Sequence, residues 1–316
     1  MRGIPERVEF LDQFRGFTVS MMILVNILSG FDIVPAWMKH ATTMGRVTLP
    51  DFVIPTFLFI IGVAFELSFP RSLAAHGAGR TVWRFIRRSL LLVAFGVLGS
   101  ILLRHNIALE WGVLETLGMA GLVALPFMFL RPRWRPAIAV LLVALYELIS
   151  HLGLRTWLLA NDAGHLGGIP GGLAWAGVVL IGSLAGSFIR DHDARGLRVC
   201  CTAIAVAGIG AGLLLSRWLP VYKPPVTITY LLLTTGVAAA LLFVFSVLNL
   251  RFLLFKVFGV NALAIFMLHG IILVTVMERV PAASSWPVVV LVLAGVYGLC
   301  GLVAALLYRF RVFIRL

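Results

Sequence analysis

Four groups of residues in this chain have types and spacings suited to chemistry. His40 is followed eleven positions later by Asp51. A histidine with a carboxylate in reach is the minimum kit for general base catalysis, because the carboxylate fixes the tautomer and stabilises the imidazolium, and an imidazole titrates near pH ~6.5. The competing reading is a loop histidine and a helix cap. In the stretch LDQFRGFTVSMMILVN, Asp12 and Arg15 are three apart, as an ion pair or as an interfacial anchor whose arginine snorkels to headgroups. Asn26 lies about 16 Å further along the same helix, as helix-to-helix glue or as a catalytic group. Arg84, Arg87 and Arg88 in WRFIRRSLLL offer guanidinium forks to phosphate, or decorate a membrane face. Late in the chain, NALAIFMLHG holds Asn261 and His269, which line a cavity or satisfy one another's surroundings in a core.

The elements that must position these groups are set by composition. Of 316 residues, 61% are hydrophobic and 12% charged, with 31 glycines, more apolar surface than a soluble domain can hide. Windows of roughly 20 apolar residues place about ten helices near 9–31, 49–70, 82–103, 112–130, 135–152, 171–189, 198–218, 228–249, 256–277 and 286–308. The expected fold is all-α: a polytopic membrane protein with one transmembrane domain over residues 1–316. No cleavable signal peptide is expected, since Asp12 and Arg15 interrupt the first apolar segment early.

Charge then orients it. The net charge of +13 would suggest nucleic acid in a soluble protein, but 19 of the 26 Lys+Arg fall in alternate connections and in the two terminal segments. By the positive-inside rule that side and both termini are cytoplasmic, and no nucleic-acid partner is implied. Two outer connections, 32–48 and 153–170, are long enough to shape a site and contain His40, Asp162 and His165. His151 and Glu115 fall near the same face. Cys200, Cys201 and Cys300 read as small buried hydrophobes, and no metal site is expected. Glycine-rich segments such as 171–186 permit close helix packing, within one chain or between copies in a homo-oligomer.

The strings ERVEFLDQFRGFTVSMMILVN, KHATTMG, TLPDFVIPTFLFIIGVAFELSF, WGVLETLG and FGVNALAIFMLHG resemble, in order, the transmembrane core of the heparan-α-glucosaminide N-acetyltransferase family and its bacterial relatives. The resemblance implies an enzyme of the bacterial inner membrane that takes acetyl-CoA from the cytoplasm and uses the acetyl group on the far side, on an amino sugar or glycan. It places the family's active histidine on His40, the asparagine ending the first-span motif on Asn26, and the motif aspartate on Asp51. The late Asn and His of the family match Asn261 and His269. A more distant similarity, to the acyltransferase family 3 enzymes that acylate surface polysaccharides, matches Arg15 with Asn26 ten intervening residues later, and Arg84 with Arg87.

Joined to the residue reading, the resemblance implies His40 as base, Asn26 as oxyanion donor and Asp51 as orienting carboxylate. Arg15, Arg84, Arg87 and Arg88, with Asn261 and His269, would hold the CoA ester. Two readings of other classes stand beside it. One is a transporter or flippase for glycan or lipid substrates whose polar groups bind without chemistry, and the other is a scaffold subunit.

Overall fold

The computed structural model describes residues 8–41, 43–104, 111–160, 165–248 and 250–313, and all regular structure among them is helical. Among the described residues, six helices are long and apolar enough to cross a membrane, or up to seven if one bent pair counts as a single span. The chain is therefore of the polytopic helical membrane class. The ten expected segments do not each stand as a separate span, for three physical reasons developed below. The chain divides into two compact units, residues 1–41, 48–53 and 244–316, and residues 42–47 and 54–243.

In the first unit, α1 (Glu9–Ser29) falls outside the apolar spans because it carries Glu9, Asp12, Arg15 and Asn26. It packs on α9 (Leu253–Val260) at a pair of glycines. A Cβ built on Gly16 would stand 1.7 Å from the Phe255 carbonyl oxygen, and one on Gly259 1.8 Å from that of Asp12. Two backbones can approach so closely only where neither residue has a side chain. Around the glycines, Gln13 Oε1 accepts the Phe252 N–H at 3.2 Å. Phe14 and Phe17 pack on Phe245, and Phe17 on Phe255 edge to face.

The expected span 256–277 is broken. α9 gives way at Asn261 (φ −121°, ψ 39°) to α10 (Ala262–Met277), bent from it by 95°. Asn261 is fully buried, and its Nδ2 donates to the Val312 carbonyl at 3.1 Å, beyond α11 (Trp286–Arg309). Tyr297 of α11 donates its hydroxyl to the Ser20 carbonyl, tying α11 to α1.

In the second unit, the expected second and third spans form one helical run, α2 (Val53–Arg104), with Gly77 at φ 76°, ψ 173° in its interior. The run reverses there. Ser72 and Thr81 are nine apart, which a straight helix would separate by about 13.5 Å, yet their hydroxyls lie 3.0 Å apart. Phe85 meets Phe65 and Phe69 edge to face across the two arms. The positive φ at Gly77 is the conformation glycine alone adopts at little cost, so the connection needs no loop.

The remaining helices are α3 (Val113–Ala124), α4 (Arg135–Ile149), α5 (Arg155–Ala160), α6 (Gly168–Arg190), α7 (Ala194–Leu215) and α8 (Ile228–Leu248). The connection expected over 153–170 is thus partly helical, since α4 runs through a wide turn at Gly153 (φ 120°) into α5. Buried α6 is the core of this unit, and its glycines are used within the chain. Gly182 faces the Phe59 carbonyl, Gly177 lies against Val143 and Gly172 against Met119. Cys200 and Cys201 on α7 and Cys300 on α11 are buried free thiols, as expected.

Candidate active site

The His40–Asp51 pair forms within the first unit. Pro50 opens a short turn over Leu49–Phe52, where its missing N–H costs nothing, and the turn leads into α2. Asp51 stands at the third position and is 1% exposed. Its Oδ2 accepts the Thr48 main-chain N–H at 3.0 Å and the Thr48 hydroxyl at 2.8 Å, so the turn is closed by a capping box. Its Oδ1 faces His40 Nδ1 at 3.5 Å. That is longer than a well-formed hydrogen bond. The His40 side chain is 45% exposed. A carboxylate at Nδ1 favours the Nδ1–H tautomer and leaves the lone pair on Nε2, the arrangement a general base requires. Asp51 thus caps the turn through Oδ2 and brings Oδ1 to within 3.5 Å of His40.

Asn26 and His269 meet each other. Asn26 Nδ2 lies 3.1 Å from His269 Nε2, joining α1 to α10. His269 is 2% exposed, and its Nδ1 is buried against the Phe266 and Ile265 carbonyls without a well-aligned hydrogen bond. With Nδ1 protonated toward those carbonyls, Nε2 is the acceptor and the Asn26 amide the donor. That amide has a second N–H, so the pairing does not exhaust it. Arg15 donates to Asp12 at 3.3 Å, an ion pair with the carboxylate mostly buried. Asn261 lies at the break described above, where its amide secures the Val312 backbone.

Arg84, Arg87 and Arg88 stand on the second arm of α2, in the other unit. Arg84 and Arg87 are exposed and share a helix face; Arg88 is half-buried. Asp162 lies outside the described residues, as does the side chain of His165. His151 sits 3.5 Å from Glu147, which also accepts from Arg155 at 2.6 Å, and Glu115 is buried beside Gly96 and Gly112.

Two features escaped the sequence reading. Thr48 is the donor that fixes Asp51, and its signal was the T-x-x-D spacing of a capping box. Glu66, fully buried on α2, binds both Arg135 and Arg190, and Arg135 also donates to Ser183 Oγ and the Met128 and Leu130 carbonyls. Arg135 and Arg190 read as inner-face decoration, but a lone Glu within the apolar run FIIGVAFELSF called for a buried partner.

Fold and site together define a polytopic membrane protein with an imidazole–carboxylate pair in the segment before α2. The sequence profile described as "Heparan-alpha-glucosaminide N-acetyltransferase, catalytic" matches residues 7–222, more than half of the chain, and the protein belongs to that family. The chain is 32% identical over 146 residues to heparan-alpha-glucosaminide N-acetyltransferase of Homo sapiens, covering 42% of this chain and 21% of the human one. The Mus musculus protein of the same name is 33% identical over 149 residues, with the same two coverages. An uncharacterised 39.9 kDa protein in the amylase 3' region of Bacillus acidopullulyticus is 28% identical over 170 residues, 52% of this chain and 47% of that one. The match therefore spans about a fifth to a half of the length of these relatives.

Proposed function

We propose that the protein is a transmembrane acetyltransferase that moves an acetyl group from acetyl-CoA to an amino sugar or glycan hydroxyl across the bacterial inner membrane. The observation that supports this most is the His40–Asp51 pair inside a chain of this family. In the reaction, His40 Nε2 takes the proton of the acceptor amine or hydroxyl as the acceptor attacks the thioester carbonyl carbon. The oxyanion takes a hydrogen bond from the uncommitted N–H of Asn26, the C–S bond breaks, and the CoA thiolate recovers the proton from His40.

The guanidinium groups of Arg84 and Arg87, exposed on one helix face with Arg88 beside them, are the groups in this reading that suit the CoA phosphates. The whole chain acts as one transmembrane domain in contact with lipid. Ten crossings with both termini cytoplasmic belong to this reading: the reversal within α2 and the distribution of Lys and Arg support it, with α1 and Val113–Phe129 taken as crossings beside the helices that are long and apolar enough by themselves.

One observation favours the transporter reading: the 95° break at Asn261 resembles the interrupted helices of many transporters. A glycan transporter has no use for acetyl-CoA. The test is radiolabelled acetyl-CoA turnover by purified protein in proteoliposomes, with glucosamine and simple glycans outside. The expected outcome is transfer by the native chain, none by His40→Ala, and acetyl-CoA binding by both. Absence of acetyl-CoA binding by the native chain would overturn the enzyme reading.

A further inference from the structure

We propose that Thr48 is a positioning residue for His40, clamping one oxygen of Asp51 so that the other is held toward the imidazole; the inference rests on the reading of His40 as the base. The Thr48 main chain, the Thr48 hydroxyl and the His40 ring all reach the Asp51 carboxylate. The Thr48 N–H reaches Oδ2 at 3.0 Å and the Thr48 hydroxyl reaches the same oxygen at 2.8 Å, while Oδ1 lies 3.5 Å from His40 Nδ1. In an ordinary capping box the side chain at the third position serves the N-cap N–H, and the N-cap hydroxyl serves only the backbone. Here the hydroxyl also donates to the carboxylate, and both donors converge on a single oxygen.

The division of labour has a consequence for the histidine. The terminal torsion of an aspartate is broad and roughly two-fold, so an untied carboxylate turns freely between oxygens. His40 is 45% exposed and its ring competes with water for partners, whereas Asp51 is 1% exposed. Thr48 supplies two donors to the buried member of the pair, and these hold Oδ2 on the side away from the ring. Serine at this position retains both donors, while valine retains the N–H and the branched shape but loses the hydroxyl.

The test compares the native chain with Thr48→Ser and Thr48→Val, purified in detergent. The rate at which diethyl pyrocarbonate modifies His40, read by peptide mass spectrometry, reports the availability of its ring lone pair and needs no turnover. Thermal unfolding and the kcat and KM of acetyl transfer are measured beside it. Thr48→Val is expected to slow His40 modification and lower kcat by about tenfold, the scale of one lost charge-assisted hydrogen bond, with KM for acetyl-CoA unchanged. Thr48→Ser is expected to restore both. A lower Tm in Thr48→Val with His40 reactivity and kcat within twofold of native would mean that Thr48 is a cap alone, and the proposal falls. Should valine prevent folding, Thr48→Ala is read against the same thresholds. If the native chain transfers no acetyl group, the enzyme reading fails by itself, and the modification rates still decide the role of Thr48.

Discussion

Replacing Asp51 with asparagine tests the site at the buried carboxylate that faces His40. The side chain keeps its shape, but the two donors of Thr48 demand an acceptor at the position of Oδ2, so the amide oxygen stays there. The amide nitrogen then takes the place of Oδ1, 3.5 Å from His40 Nδ1, and presents hydrogens where the carboxylate presented lone pairs. His40 answers by moving its proton to Nε2, which removes the lone pair the reaction uses. The same inversion in a fully buried serine-protease triad costs about 10⁴ in kcat. With His40 45% exposed, water can hold part of the population in the useful tautomer. We therefore expect a loss of about 10²–10³ in kcat, equal to ~2.7–4.1 kcal/mol of activation free energy. The cap on the turn survives, so thermal unfolding should move by only a few degrees. The assay is acetyl transfer in proteoliposomes with unfolding followed in parallel. Activity within tenfold of native, or a loss that tracks an equal collapse in Tm, would refute the tautomer argument.

Five further outcomes follow from the geometry. Glu66→Gln breaks a fully buried carboxylate away from Arg135 and Arg190 and should cost about 3–5 kcal/mol in detergent unfolding, or prevent folding. Asp191→Asn, by contrast, should change stability by under about 1 kcal/mol, since its ion pair with Arg190 is exposed. The hydrogen bond from Arg190 holds the Asp191 carboxyl below its usual range, so this small contribution is present above the ordinary carboxylate pKa and is lost as pH falls through the lowered one. Gly16→Ala should cost about 3 kcal/mol or more, because its Cβ meets the Phe255 backbone at 1.7 Å, whereas Gly210→Ala meets nothing within 4 Å and should gain about 0.5–1 kcal/mol in the same unfolding assay. Asn26→Ala leaves His269 Nε2 buried without its donor and should cost about 1–3 kcal/mol in unfolding as well as acetyl transfer; unchanged stability would show the pair to be incidental. Arg87→Ala should raise the Kd for acetyl-CoA with unfolding unchanged, because the side chain is exposed.

What the sequence determined by itself was the membrane class, the helices and the ingredients of the site. Apolar length is a local property, so every described segment expected to be helical is helical, though boundaries and the joining of segments moved. His40 and Asp51 were legible as a pair because only eleven positions separate them, whereas Thr48 was missed although the T-x-x-D spacing that ties it to Asp51 is also local. The tertiary structure alone decided the rest, since contacts between residues distant in sequence leave no periodic trace. Asn26 and His269 are 243 positions apart, and nothing in either segment names the other as its partner. The fate of the glycines was equally hidden: 171–186 suited packing within or between copies, and only the fold spends them on α2, α3 and α4. Likewise, charge counting gave Arg135 and Arg190 to the inner face, but burial of Glu66 drew both guanidinium groups to one carboxylate, because an ionised group in an apolar core persists only when it is paired.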